Sequence, residues 1–340
     1  MTTWSPDFLV GYETTELALP GAEPAPGEPA DVELVATLIR KSGPRIGTRA
    51  VLYLHGWNDY FFQTHVADYL TDLGYDFYAV ELRRYGRSIR PGQLRGFITD
   101  LDDYAVELDA AANLIAVDHD RLLLMGHSTG GLITALWAAH NADRLEGLIL
   151  NSPWLDMQGS AIVRTLGTPV IDALGSRAPT SVIRLPDLGF TARSLHISLG
   201  GEWDYDLTLK SRPGPPIRTG WLRAVLLGHQ RVAAGLAIGV PILVLASAKT
   251  EFARRWHEGL RVVDSVLDVE QTAARAVRLG PHVTVVRIPD GLHDVTLSAL
   301  QVRTQALDEI GRFVEAYVKR GDALQDMGQD GSVGGGQRTD

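Results

Sequence analysis

Short apolar runs recur along the 340-residue chain, and between them apolar residues fall at three- and four-residue spacing. The runs ELVATLIR (33–40), AVLYL (50–54), DFYAVEL (76–82), RLLLMG (121–126), LEGLILN (145–151), PILVLAS (241–247) and HVTVVRIP (282–289) predict strands. HVADYLTDLGY predicts a helix ended by Gly74, apolar residues fall at helical spacing over 100–116, and further helices are expected over 130–140, 268–279 and 298–319. Strands alternating with helices imply βαβ units: an α/β fold with a mostly parallel central sheet and helices on both faces. Near the start, GAEPAPGEPA (21–30) reads as a turn region between two short strands.

The alternation fails between residues 152 and 240, where Gly, Pro and scattered aromatics (Trp154, Phe190, Trp203, Tyr205, Trp221) replace it. Both flanks keep their place in the pattern, so an insertion over the sheet is the simplest reading. The expected organisation is a core in two parts, 1–151 and 241–320, a cap inserted at 152–240, and a tail at 321–340. That Gly-rich, polar tail has almost nothing to bury and is expected to be disordered.

Composition narrows the function classes. Apolar residues make up 45% and charged residues 21%, the balance of an ordinary soluble domain. The net charge of −9, with no Lys/Arg cluster, argues against nucleic acid as a partner. There is no cysteine, hence no disulfide framework and no thiolate metal site. The N-terminal segment lacks a basic start followed by an apolar run, and no stretch approaches the roughly 18 apolar residues of a membrane span. A cytoplasmic protein without a transmembrane segment is the expectation, and oligomeric state is not legible.

Gly126-His127-Ser128-Thr129-Gly130 fits G-x-S-x-G. The pattern alone is weak, but it sits where a strand predicted to be buried meets a helix, the setting of a nucleophile elbow. A serine hydroxyl is a poor nucleophile near neutral pH, so it requires a base, an acid to orient that base, and an oxyanion site. An elbow places the acid and then the histidine downstream.

Most of the ten histidines have bland readings. His119 and His140 border turns, His65 opens a helix, His196, His229 and His257 lie in or after the insertion, and His282 begins a strand. His293 follows the last predicted strand, in a loop freed by Gly291, and is the expected base. For the acid, Glu251, Asp264 and Asp268 follow the strand PILVLAS, whereas Asp290 and Asp294 are too close to His293. Asp264 is favoured; Asp268 opens the next helix and fits a cap equally well. Position assigns the oxyanion hole to the backbone N–H groups of Trp57, after the early strand, and Thr129, after the nucleophile.

With these residues in chain order, the sequence resembles the α/β-hydrolases, and within them the lysophospholipase and monoglyceride-lipase-like branch grouped by name with serine aminopeptidases. VLYLHGWNDY is similar to the branch's His-Gly motif, GHSTGG to its elbow, DSVLD to its acid segment and GLHD to its histidine loop. The D-x-x-x-D likeness implies Asp264 rather than Asp268. ELRRYGRS departs from the branch's Asp-x-Arg-Gly-His-Gly-x-Ser string at Glu81, Arg84 and Tyr85.

The resemblance implies a cap over the site and a serine carboxylesterase or lipase that needs no metal or organic cofactor. Its expected partner is a small-molecule, lipid-like ester. Rival readings are an acyltransferase, a non-catalytic ligand sensor, and an aminopeptidase. The last needs carboxylates near the site, for which GEWDYD (Glu202, Asp204, Asp206) is the candidate.

Overall fold

In the computed structural model, residues 2–157, 170–184 and 188–319 are described. A nine-stranded sheet runs in the order β1-β2-β3-β5-β4-β6-β7-β10-β11. Its strands are β1 (Ser5–Pro6), β2 (Tyr12–Ala18), β3 (Val35–Lys41), β4 (Arg49–Leu54), β5 (Asp76–Glu81), β6 (Arg121–His127), β7 (Gly147–Asn151), β10 (Ile242–Ser247) and β11 (Val283–Ile288). From β5 to β11 all neighbours pair in parallel, while β1, β2 and β3 form an antiparallel edge. Two short strands, β8 (Val182–Ile183) and β9 (Ile217–Arg218), pair separately within the insertion.

The central strands are apolar on both faces because both faces are covered. On β6, Leu122 and Leu124 enter one apolar cluster while Leu123 and Met125 enter the other. The first cluster lies under α2 (Ala105–Ile115), α3 (Thr129–Ala138) and α5 (Thr219–Ala234); α4 (Phe190–Leu195) belongs to the insertion. The second lies under α1 (Thr64–Asp72) and α7 (Leu300–Phe313), and α6 (Val269–Ala276) precedes β11.

Several elements differ from the sequence pattern in instructive ways. Every residue of α3 is buried, so it has no polar stripe to announce its period. A 3-10 turn, Leu101–Tyr104, precedes α2, with the Asp100 carboxylate accepting from the Asp102 N–H at 3.0 Å. After α7 the chain continues as a π-helical turn over Val314–Val318. Inside the segment expected as a cap, α5 packs on α3: Gly228 lies against Leu132 and Leu136. The segment expected as a disordered tail, 321–340, lies outside the described residues. Among the described residues no helix is long and apolar enough to cross a membrane.

Candidate active site

The carboxyl ends of the parallel strands gather the loops that carry the predicted residues. At the end of β6, glycines let the turn and α3 press onto the sheet. A Cβ added to Gly126 would lie 2.4 Å from Thr134 Oγ1, and one added to Gly130 would lie 2.2 Å from the His55 carbonyl oxygen. Ser128 between them has φ +53° and ψ −117°, a strained conformation for an L residue, costing on the order of 1–3 kcal/mol. Surrounding bonds hold it there. Its N–H donates to Asn151 O at 3.0 Å, and its carbonyl accepts from Leu132 N at 3.2 Å and Trp154 N at 3.0 Å.

The structure brings Ser128, His293 and Asp264 together. His293 Nε2 lies 2.9 Å from Ser128 Oγ, and its Nδ1 lies 2.9 Å from Asp264 Oδ2. With the proton on Nδ1, the ring donates to the carboxylate and accepts from the hydroxyl, the arrangement a general base requires. Asp264 is fully buried, and its Oδ1 accepts from the N–H groups of Val266 (2.7 Å) and Leu267 (2.8 Å).

The long excursion before Asp264 does not displace it. The chain leaves the end of β10 and returns to the same point: Asp264 N donates to Lys249 O at 2.9 Å, and Glu251 N donates to Asp264 O at 3.0 Å. Asp268 instead caps α6, accepting from Glu270 N at 3.1 Å and Gln271 N at 3.3 Å. Glu251 is bonded to His257 at 2.7 Å.

The loop after β4 passes directly against the serine. A Cβ added to Gly56 would lie 3.1 Å from Ser128 Cβ, so the loop that carries the Trp57 amide runs against the turn that leads into the Thr129 amide at the start of α3. Among the described residues, neither N–H is committed to a backbone carbonyl in a turn, loop or cap. His55 is pinned beneath: Nδ1 donates to Gly56 O at 2.8 Å and Nε2 accepts from Leu82 N at 3.2 Å. Burial holds its pKa below the usual histidine value.

ELRRYGRS carries buried charges, and two of them, Glu81 and Arg87, brace this loop at Phe61. The Glu81 carboxylate accepts from Phe61 N at 2.9 Å and Arg87 N at 2.5 Å, and also pairs with the Arg87 guanidinium. Arg87 continues to Asp7 at 2.7 Å. Arg83 pairs with Glu107 at 2.5 Å, and Arg84 with Glu28 at 2.7 Å.

Two buried residues outside the predicted set, Asn151 and Asp294, tie the elbow to the histidine loop. The Asn151 backbone carbonyl receives Ser128 N–H and, at 3.1 Å, His127 Nδ1. Its side chain donates to Asp294 Oδ1 at 2.6 Å and accepts from Val295 N at 3.2 Å. One residue thus bonds both the elbow and the loop next to His293. Burial opposes ionisation of Asp294, but His127 and hydrogen bonds from Thr296 and Asn151 outweigh it and hold the pKa down to about 2. Burial also pushes the His127 pKa down, so the Thr296 and Asn151 bonds carry the effect better than a charge on His127 does.

The remaining candidates stand apart. His119 is buried rather than at the surface, bonded to Asp76 at 2.9 Å and Ile115 O at 3.1 Å, because the turn it borders tucks the ring beneath Tyr78. Glu202 pairs with Arg303 at 2.7 Å, Asp206 accepts from Thr208 N at 2.7 Å, and neither these nor Asp204 line the cleft beside Ser128. Among the described residues no three His, Asp or Glu side chains are grouped to share a metal ion.

A cleft of about 630 Å³ opens over the serine. Trp57, Ser128 and His293 line it, together with Leu195, Tyr205 and Ile217 of the insertion. Behind Trp57 the buried Trp221 packs against it, ring centroids 4.0 Å apart and planes tilted by 42°, so the insertion and the loop after β4 share one aromatic contact.

Comparisons with known proteins agree with this architecture. The profile of the family described as serine aminopeptidase, S33, matches residues 47–296. A monoacylglycerol lipase of Mycolicibacterium smegmatis is 25% identical over 246 residues, covering 69% of this chain and 80% of the relative. A solved monoacylglycerol lipase of Paleococcus ferrophilus superposes with a TM-score of 0.59 at 16% identity, covering 83% of this chain and 98% of its own. A soluble variant of monoglyceride lipase from Saccharomyces cerevisiae also gives 0.59, at 12% identity, covering 88% and 97%. The chain belongs to the serine aminopeptidase S33 family and has the α/β-hydrolase fold.

Proposed function

We propose that this protein is a serine hydrolase of carboxylic esters that works through an acyl-enzyme on Ser128. The observation that carries the reading is the pair of 2.9 Å contacts by which His293 bridges Ser128 Oγ and Asp264. Ser128 Oγ attacks the ester carbonyl carbon while His293 Nε2 takes the hydroxyl proton. The Trp57 and Thr129 N–H groups donate to the oxyanion, and Asp264 stabilises the imidazolium. His293 returns the proton to the departing alcohol, and the acyl group stays on Ser128. Water then attacks the acyl carbon with His293 again as base, releasing the acid and restoring the hydroxyl. Oxyanion donors of this kind are each worth about 2.7–4 kcal/mol of the barrier.

The insertion between β7 and β10 serves as the cap, and its apolar walls favour a lipid-like acyl group. The cleft's 630 Å³ falls within the roughly 300–1,000 Å³ common for small-molecule sites. The names of the monoacylglycerol lipase relatives support the same substrate class.

An aminopeptidase reading needs a free carboxylate for the α-amino group. Asp59 and Asp294 are the acidic residues lining the cleft among the described residues. Asp59 is paired with Lys210 at 2.8 Å, and Asp294 is spent on Asn151 and Thr296. The ester reading is therefore favoured. Hydrolysis of p-nitrophenyl esters of increasing acyl length, with aminoacyl p-nitroanilides in parallel, tests it. Ester turnover that disappears in Ser128→Ala is the expected result; turnover of the anilides alone overturns it in favour of the peptidase. Saturable ester binding without turnover identifies a sensor, and transfer to an added alcohol in preference to water identifies an acyltransferase.

A further inference from the structure

The loop that carries the Trp57 N–H is not held by the core alone. A strap of the insertion, residues 203–211, is fastened to it at three consecutive positions. Asn58 Nδ2 donates to Ser211 O at 2.8 Å, and Asn58 Oδ1 accepts from both Ser211 N and Ser211 Oγ at 3.1 Å. Asp59, buried, accepts from Lys210 Nζ at 2.8 Å, and the same ammonium sits over the rings of Phe62 and Tyr205. Tyr60 OH accepts from Asp206 N at 2.7 Å. The strap also grips the opposite side of the site. Trp203 Nε1 donates to Leu297 O at 2.7 Å, and Tyr205 shares an apolar cluster with Tyr60, Phe62 and Leu292, the residue before His293.

We propose that this strap is a working part of the oxyanion site, with Asn58 and Lys210 as positioning residues that fix the Trp57 N–H against Ser128. The inference rests on the ester-hydrolase reading. A backbone amide cannot be aimed by its own side chain, so its placement depends on what holds the residues beside it. Asn58, the residue after Trp57, has φ +50°, a left-handed conformation that asparagine tolerates and that its bonds to Ser211 lock. A preorganised donor acts only within a few tenths of an ångström of its target, and a misplacement of about 1 Å costs about 10²-fold in rate. The Asp59–Lys210 pair adds a charged tie that is largely withdrawn from water and little screened. At this edge the insertion is a clamp on the oxyanion loop.

The test separates placement of the amide from contact with substrate. Asn58→Gly keeps the left-handed backbone accessible and deletes the bonds to Ser211. Turnover of a p-nitrophenyl ester is measured together with inhibition by a long-chain trifluoromethyl ketone, which adds to Ser128 as a tetrahedral oxyanion. The matching alcohol, which binds without reacting, is the control. In Asn58→Gly, kcat falls about 10- to 100-fold and the ketone weakens in parallel, while KM and inhibition by the alcohol stay within about twofold. Lys210→Met behaves likewise, and Lys210→Arg restores most of the loss.

Equal kcat in wild type and both variants overturns the inference. So does a loss that appears in KM and in the alcohol as much as in kcat. If Asn58→Gly fails to fold, Ser211→Ala, which removes one side-chain bond, decides on the same readouts with an expected loss of about threefold. Absence of Ser128-dependent turnover in the wild type overturns the hydrolase reading and this inference with it. Normal wild-type turnover with unaffected variants overturns the strap's role alone.

Discussion

Asp264→Asn should abolish activity without unfolding the protein, for a reason that lies in two backbone bonds. Asp264 Oδ1 accepts from Val266 N and Leu267 N at 2.7 and 2.8 Å, while Oδ2 faces His293 Nδ1 at 2.9 Å. An asparagine must keep its oxygen on the two amides, so its NH₂ turns toward the imidazole. Two donors cannot face each other, and His293 shifts to the tautomer with the proton on Nε2. That nitrogen then donates to Ser128 Oγ instead of accepting its proton, and the anion that stabilised the imidazolium is gone. A wrong tautomer of this kind costs about 10⁴-fold in kcat, equivalent to about 5.5 kcal/mol. Asp268→Asn is the matched control, because asparagine caps a helix as well as aspartate does. Its activity should stay within about twofold and its Tm within about 2 °C. Rates on a p-nitrophenyl ester and thermal melts of the two variants check both statements. Retention of more than a tenth of the wild-type rate in Asp264→Asn, or loss of activity in Asp268→Asn, would refute the assignment of the acid.

Other consequences follow from burial. His229 is buried against Trp154, and burial pushes its pKa down to about 4, so the unfolded chain binds more protons between pH 6.5 and 4. Its neutral form is compatible with the fold above pH 6.5, and up to about 3 kcal/mol of stability is lost as pH falls toward 4. Urea unfolding across that window should show a shallower pH slope in His229→Gln than in wild type; equal slopes would remove His229 from the account. Glu107→Gln leaves the Arg83 guanidinium buried without its counter-charge and should cost about 3–5 kcal/mol, read as a lower urea midpoint at pH 7. Gly130→Ala drives a Cβ to 2.2 Å from the His55 carbonyl oxygen, a backbone atom that cannot swing away. Activity should fall at least 10-fold with a stability loss of about 1–3 kcal/mol; a fully active, equally stable variant would contradict the packing described for the elbow.

The elbow was legible because its signals are local: an apolar run, a Gly-x-Ser-x-Gly turn and a helix adjoin one another. His293 was legible by position, since the last strand of such a sheet delivers its loop to the same edge. Asp264 was harder, because the contact that returns it to the end of β10 closes across a polar excursion that shows no pattern of its own. Asn151 lies in no motif and 143 residues from Asp294, the last residue of GLHD, so only the folded chain shows them meeting. ELRRYGRS stood out only as a departure from the family's string, and its sequence does not show that Glu81, Arg83, Arg84 and Arg87 are spent in buried ion pairs. Helix α5 carries the same apolar spacing whether it covers a cap or a sheet, so the sequence could not tell on which side of the site it packs.

The central claim is that Ser128 carries the acyl group, and reaction with a fluorophosphonate tests it most directly. Peptide mapping by mass spectrometry, run beside an ester-hydrolysis assay, reads both the labelled residue and the activity. The account predicts one adduct per chain, on Ser128, forming in step with the loss of turnover, with no adduct and no turnover in Ser128→Ala. An adduct on another residue, or hydrolysis by Ser128→Ala at the wild-type rate, would contradict it.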